Sequence, residues 1–321
     1  MLLKELPIVF VSYDEPNADS NYRYLRESGF DRVSRVHGIK GFDAAHKVAA
    51  EVAYGMLDHQ NFVTIDGDNQ IIRASNVWSM DIQAIHKAAG VDPANSVVSF
   101  RAINEVNCAC YGNGGVKVWS QDFANNMRTH EAATDGAVVD FCWQPGYVQM
   151  ENVLSKTVPN ASAQQAFRAG YREGVKLSSA HKFDMSPEEK LLHQSTGTPQ
   201  VILTQWAFLG MDVPFGCWCI YGLAHGLNDA MANIDVTASL IDHENVNRRF
   251  ALTCQMYQIP TDDPFVGETS RFTDALRATL SKPLYSGIIK TGAISSHRSE
   301  VIKQMLMLAR TLNHELRRQG Q

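Results

Sequence analysis

The sequence predicts an α/β fold whose C-terminal region is mostly helical. Three observations carry the prediction. Strand patterns at 7–13, 32–37 and 62–65, the first and third of them apolar runs and the second alternating, are interleaved with helical patterns at 18–29 and 42–57, the β-α-β-α-β order expected of a largely parallel sheet. The third run, Phe62-Val63-Thr64-Ile65, stops at Asp66-Gly67-Asp68, beyond the carboxyl end of a strand, where open α/β sheets bind their ligands. From about residue 230 onward no further strong strand signal occurs.

Taken in order, the first strand is Pro7-Ile8-Val9-Phe10-Val11-Ser12-Tyr13. It ends in Asp14-Glu15-Pro16-Asn17, residue types that turn the chain. The helix at 18–29 closes on Gly29, a common helix stop. Arg32 to His37 alternates as a short strand does, and Gly38 to Gly41 bound a loop. The clearest helix is 42–57, where Phe42, Ala45, Val48, Ala49, Val52, Ala53 and Met56 recur at helical spacing. Further strands are expected at 96–101, 116–119 and 137–141, and further helices at 162–176, 187–193, 200–210 and 298–318. This gives a ligand-binding domain over 1–230 and a helical subdomain over 231–321.

With 45% hydrophobic and 20% charged residues in 321, the composition is that of a globular chain holding one large domain or two smaller ones. No apolar run approaches the roughly 20 residues of a membrane span. Met1-Leu2-Leu3-Lys4-Glu5-Leu6-Pro7 is too short and too charged for a signal peptide, so a cytoplasmic protein is expected. Cys108, Cys110, Cys142, Cys217, Cys219 and Cys254 do not read as a disulfide framework in so long a chain. The two Cys-x-Cys pairs are too tight for the usual zinc spacing and read as buried thiols on strands. Charge is uneven: residues 268–321 hold nine Lys/Arg against four Asp/Glu, while the preceding 267 hold 20 against 30. An acidic body with a basic end is compatible with nucleic-acid contact at one surface, or with a solvated helical face.

Asp66 and Asp68 are the strongest chemical feature. Two carboxylates one residue apart, with Gly67 easing a turn, form an oxygen-rich corner that suits Mg²⁺ or Mn²⁺ carrying a nucleotide diphosphate. A second group is His37-Gly38-Ile39-Lys40-Gly41-Phe42-Asp43-Ala44-Ala45-His46-Lys47. Its glycines precede a helix start, where free N–H groups favour an anion, with Lys40, His46 and Lys47 nearby as donors. Neither a P-loop nor a Gly-x-Gly-x-x-Gly dinucleotide loop is present. In Tyr111-Gly112-Asn113-Gly114-Gly115 the glycines admit close backbone approach to a ligand, and Asn-Gly is equally a hairpin signal joining Asn107–Tyr111 to Val116–Trp119. Asp140 at a strand end is a candidate base for an acceptor hydroxyl, in competition with Asp135, Glu151 and Asp212. His130, His181, His193 and His225 are candidate third metal ligands. Trp119, Trp143 and Trp218 are candidate stacking platforms for a base or sugar. Paired carboxylates with a metal serve nucleotidyl transfer as well as sugar transfer.

The order of these pieces resembles a nucleotide-sugar glycosyltransferase of the GT-A fold, a Rossmann-like mixed sheet flanked by helices. The match is best over Lys40–Asp68. The resemblance implies that the loop Ser12, Tyr13, Asp14, Glu15 holds the nucleobase of a UDP-sugar. It implies that Asp66 and Asp68 hold Mn²⁺ or Mg²⁺ on the diphosphate, and that Asn113, Gly114 and Gly115, with Trp119, lie on the acceptor side. The stretches Val36–Lys47, Tyr111–Trp119 and Gln165–Lys176 are similar to glycosyltransferases of tailed bacteriophages, some of which attach glucose or arabinose to hydroxylated or hydroxymethylated cytosine in DNA. The family's acidic Glu-Asp acceptor motif is absent, and Val139-Asp140-Phe141 is the nearest match. A retaining enzyme needs no such base.

Overall fold

A computed structural model describes residues 1–110, 115–127, 129, 144–179, 202, 205–207, 209–231 and 243–265. Its strands are β1 (Ile8–Ser12), β2 (Val33–His37), β3 (Asn61–Asp66), β4 (Asn69–Ile71), β5 (Val97–Asn104), β6 (Val116–Ser120) and β7 (Tyr147–Thr157). Its helices are α1 (Ala18–Arg26), α2 (Phe42–Met56), α3 (Ile82–Ala89), α4 (Gln121–Asn126), α5 (Ala163–Ser179), α6 (Gly216–Met231) and α7 (His243–Tyr257). The chain divides into two compact units, residues 1–104 with 110–158, and residues 105–109 with 159–321. In the second unit α5 and α6 pack on each other. Most of the helical subdomain expected over 231–321 lies outside the described residues.

In the first unit the strands form one mixed sheet in the order β2-β1-β3-β6-β5-β7-β4. β1 runs parallel to β2 and β3, as the βαβαβ pattern requires. β6 is antiparallel to both β3 and β5, because no crossover helix joins β5 to β6. Of the segment Asn107–Tyr111 expected to open a hairpin, residues 107–110 are not in a strand: β5 ends at Asn104, and it is β5 that pairs antiparallel with β6.

Alternation sorts the core into two layers. Ile8, Phe10, Val63, Ile65, Val98, Phe100, Val116 and Val118 face one way, against Ala18 and Leu25 of α1 and Ile82 and Ile85 of α3. Val9, Phe62, Val97 and Trp119 face the other way, against Ala49, Ala50 and Ala53 of α2 and Phe123 and Ala124 of α4. The alanine stripe of α2 gives the helix a flat face that lies close on the sheet. Asp81 caps α3 by accepting from the Gln83 amide at 2.9 Å, and Gly90 ends that helix in the left-handed region.

The sheet curls. Only Gly67 and Asp68 separate β3 from β4, yet β4 pairs with the far half of β7, at Asn69↔Thr157 and Ile71↔Ser155. The register of β7 on β5 shifts between Phe100 and Ala102, and a bulge of this kind bends a long strand. The bent half of β7 therefore returns across the carboxyl end of β3, where the Val158 amide donates to the Asp68 carbonyl at 2.8 Å.

In the second unit α5 and α6 approach backbone to backbone. A Cβ on Gly170 or Gly174 of α5 would overlap the carbonyls of Cys219 or Leu223, and one on Gly222 or Gly226 of α6 would overlap those of Phe167 or Tyr171. The Tyr171 hydroxyl donates to Asp229 at 2.7 Å, and Arg249 of α7 pairs with the same carboxylate at 2.8 Å. Cys217 and Cys219 are buried on α6 rather than on a strand. Two residues apart on a helix, they point to nearly opposite sides. Among the described residues, no helix is long and apolar enough to cross a membrane. The strand expected at 137–141 and the helices at 187–193 and 298–318 lie outside the described residues, and the helix at 200–210 is described only in part.

Candidate functional site

The parallel register of β1 on β3 sets Val11 beside Asp66. Both strands therefore release their chains at the same edge, and the Ser12–Glu15 turn and the Asp66–Asp68 turn share one corner. Glu15 folds back on its own loop, its Oε2 accepting from the Tyr13 amide at 2.8 Å. Gly67 lies directly beneath: a Cβ there would sit 2.6 Å from Glu15 Oε2 and 2.9 Å from Ser12 Cβ. Gly67 does not adopt a positive φ, so its glycine is needed for this close approach and not for the turn. The Asn21 side chain donates to the Gly67 carbonyl at 3.1 Å, fixing the turn from α1.

Three carboxylates thus converge. Burial pushes the Asp68 carboxyl up to about 6, and the neighbouring charges of Asp66 and Glu15 push the same way. Asn69 opposes this shift by donating to Asp68 Oδ1 at 2.7 Å. Asn69 is itself held by Ser155 and Thr157 of β7, whose hydroxyls donate to its Oδ1 at 2.8 and 3.2 Å.

Beneath the corner, on the α2 face of the sheet, lies a column of buried polar groups. Lys117 of β6 sits opposite Thr64 of β3 and is only 2% exposed. Its Nζ meets Asp66 Oδ2 at 2.8 Å. An ammonium removed from water survives only when paired, and Asp66 supplies the pairing. The Trp119 indole donates to Thr64 Oγ1 at 2.7 Å. His46 stacks on Phe42 and lies 5.0 Å from the Trp119 ring. Its Nδ1 faces the Phe42 carbonyl at 2.9 Å, so that nitrogen carries the proton. Burial lowers the imidazole to about 4, keeping it neutral. Among the described residues its buried Nε2 has no hydrogen-bond partner.

The structure brings Ser12, Tyr13, Asp14, Glu15, Asp66, Gly67 and Asp68 to one edge. Ser12 is tied to β2, its Oγ lying 3.0 Å from His37 Nδ1 and accepting from Arg35 Nε at 2.8 Å. Tyr13 and Asp14 are exposed. Gly115 belongs to the corner through its backbone, its carbonyl accepting from the Asp66 amide at 2.9 Å, and its missing side chain leaves room for Asn69.

Other expectations are corrected. Trp119 is fully buried between sheet and α2, with its N–H satisfied, so it is a core residue and no stacking platform. Trp218 is likewise buried, on α6. The first turn of α2 already holds an internal anion: Asp43 is buried and accepts from the Thr129 hydroxyl at 2.6 Å and amide at 3.2 Å. An acidic side chain in the first turn also suits the positive end of the helix dipole. Gly41, with φ of 99°, serves the entry to α2, Lys40 is exposed and Lys47 half-buried. Asp212 is exposed in the turn before α6, in the second unit, which also holds the whole of α6 with His225. Glu151 is exposed and paired with Arg101 at 2.7 Å. Asn113, Gly114, Asp135, Asp140, Trp143, His130, His181 and His193 lie outside the described residues.

Sequence reasoning does not find Lys117, Asn69 or Asn21. Lys117 has a signal: it stands in Val116-Lys117-Val118-Trp119, a strand apolar on both faces, where a lysine must find a carboxylate.

Among the described residues no group of three or more His, Cys, Asp or Glu side chains is placed to hold a metal ion. The corner nonetheless fits Mg²⁺ or Mn²⁺, which binds through one or two carboxylates and leaves its other positions to phosphate and water. Burial raises Asp68 most, and a divalent cation would offset the smaller part that comes from the charges of Asp66 and Glu15.

No protein-family model matches the chain, and no curated protein matches it. Among solved structures it is similar to A197 from STIV, at 11% identity and a TM-score of 0.30, covering 46% of this chain and 82% of that one. It is similar to a glycosyltransferase involved in the glycosylation of the major capsid of PBCV-1, at 13% identity and a TM-score of 0.30, covering 47% of this chain and 93% of that one. At such distances the functional reading rests on the site itself.

Proposed function

We propose that the chain is a glycosyltransferase that takes a sugar from a UDP-sugar, with a divalent cation at Asp66 and Asp68. The observation that carries this reading is the carboxylate corner. Asp66 and Asp68 stand at the carboxyl end of β3, held from beneath by Lys117 and from the side by Asn69, facing the Ser12–Glu15 loop of the adjacent parallel strand. The cation supplies Lewis-acid stabilisation of the leaving diphosphate. Of the chain's own residues, Asp66 and Asp68 would hold that cation, and Tyr13 and Asp14 are exposed beside it to meet the nucleobase. The rigid Gly67 turn fixes the spacing of the two carboxylates.

The acceptor proposed is a hydroxyl on a modified cytosine in DNA. The resemblance of Val36–Lys47, Tyr111–Trp119 and Gln165–Lys176 to phage enzymes and the balance of +5 over residues 268–321 support it. The balance of −10 over the first 267 residues favours instead a saccharide, lipid or protein acceptor.

The direct test is to incubate the protein with a panel of UDP-sugars and Mn²⁺, measure UDP release, and repeat with modified-cytosine DNA. Asp66→Asn and Asp68→Asn are each expected to lower kcat/KM by about 10²-fold or more, the loss typical of removing one electrostatic contact to developing charge. Full activity in both variants sinks the mechanism. Release of pyrophosphate instead of UDP assigns the corner to nucleotidyl transfer.

A further inference from the structure

We infer that Lys117 is a built-in counter-cation: it sets the charge of the corner so that a divalent cation is held together with a nucleoside diphosphate and only weakly alone. The inference rests on the diphosphate-binding role proposed for this corner, and it concerns a residue that touches neither ligand.

Lys117 lies on β6, between β3 and β5, beneath α2, and is 2% exposed. Its ammonium is therefore out of reach of a ligand in the corner. Its partner Asp66 is 34% exposed and connects the buried charge to the open side through one carboxylate. Asp66, Asp68 and Glu15 bring three negative charges to the inner part of the corner, with the exposed Asp14 at its edge, and Lys117 offsets one of the three. A divalent cation offsets the other two.

Two consequences follow in opposite directions. A free cation entering the corner meets the repulsion of the ammonium behind Asp66. A nucleoside diphosphate meets cation and ammonium together, both attractive. Lys117 thus weakens the first event and strengthens the second, the pattern of positive coupling between two ligands. It acts by positioning and charge, through Asp66.

The experiment uses the full chain, with Mn²⁺ titrated by electron paramagnetic resonance and UDP titrated by calorimetry at saturating Mn²⁺. Lys117→Met is expected to fold, because the carboxylate it abandons is a third exposed and remains hydrated. Its Mn²⁺ affinity is expected to rise about tenfold while its UDP affinity falls about tenfold, the scale of one charge removed from a partly screened site. Lys117→Arg, which keeps the charge, is expected to retain the wild-type order of affinities. A merely structural lesion lowers both affinities together, and that result, or no change in either, overturns the inference. A measurement free of any variant stands beside it: in the unaltered protein UDP is expected to raise Mn²⁺ affinity by at least about tenfold. Tight Mn²⁺ binding that UDP leaves unchanged overturns the inference while leaving a metal site in place. An unaltered protein that binds neither Mn²⁺ nor UDP overturns the function proposed above, and this inference with it.

Discussion

At the scale of single residues, the corner and the column beneath it show how burial assigns protonation. His46 and Asp68 are both driven towards their neutral forms, with opposite consequences for stability. The folded-state value of His46, about 4, lies below the ordinary 6.5, so as pH falls the unfolded chain takes up the proton first. The stability due to neutral His46 is present above about pH 6.5 and is lost as pH falls towards 4. Asp68 works the other way: its folded-state value of about 6 lies above the ordinary 3.8, so it costs stability as pH rises across that window. Replacing His46 separates the two. In urea titrations at pH 4 to 7.5, the stability lead of the unaltered protein over His46→Gln is expected to be largest at pH 7.5 and to shrink by up to about 3 kcal/mol by pH 4. Parallel curves across the range would mean His46 is not held neutral by the fold. Sequence makes part of this visible. Asp-Gly-Asp after an apolar run announces the corner, but Gly67 reads as a turn glycine because its neighbour Glu15 is 52 positions away. Trp119 and His46 read as ligand residues because a polar-tipped ring looks the same in sequence whether its partner is a sugar or Thr64.

At the scale of elements, regular patterns are legible and compromised ones are not. β1 and β3 are plain apolar runs, β2 alternates, α2 keeps helical spacing, and these elements with α1 fall close to where the sequence places them. β7 escapes the sequence pattern, because its bulge and its exposed middle break the alternation that marks a strand. α6 escapes it because Gly222 and Gly226, with neighbouring cysteines and aromatics, contradict helix propensity. Tertiary packing decides there. The glycines of α6 take the carbonyls of Phe167 and Tyr171, and those of α5 take Cys219 and Leu223. Propensity alone makes Gly222→Ala stabilising by about 1 kcal/mol. The overlap predicts the reverse, a loss of about 2–4 kcal/mol, since a backbone carbonyl on a packed helix cannot move aside as a side chain does. Thermal unfolding of Gly222→Ala decides the sign: a raised Tm would show that α5 and α6 do not meet through these glycines.

At the scale of the whole chain, charge separates the acceptors that the corner itself leaves open. The first 267 residues sum to −10 and residues 268–321 to +5. A strongly negative polymer such as DNA is repelled by most of this chain, so binding must concentrate where lysine and arginine do. Each neutralised phosphate then releases a counterion, and affinity falls as a power of salt concentration. Sugar acceptors without charge have no such dependence, and a UDP-sugar bound at close range in the corner proposed for it would be screened much less than an extended surface. Raising salt from 50 to 200 mM is therefore expected to raise KM for modified-cytosine DNA by roughly 10²-fold or more if several phosphates are engaged, with KM for the UDP-sugar changed by less than about threefold. Neutralising the arginines at 310, 317 and 318 should lower the salt slope by about one for each phosphate that then goes unpaired. A flat salt response with transfer intact removes DNA as the acceptor and leaves the donor half of the reading standing, because the carboxylate corner makes no use of the basic end of the chain.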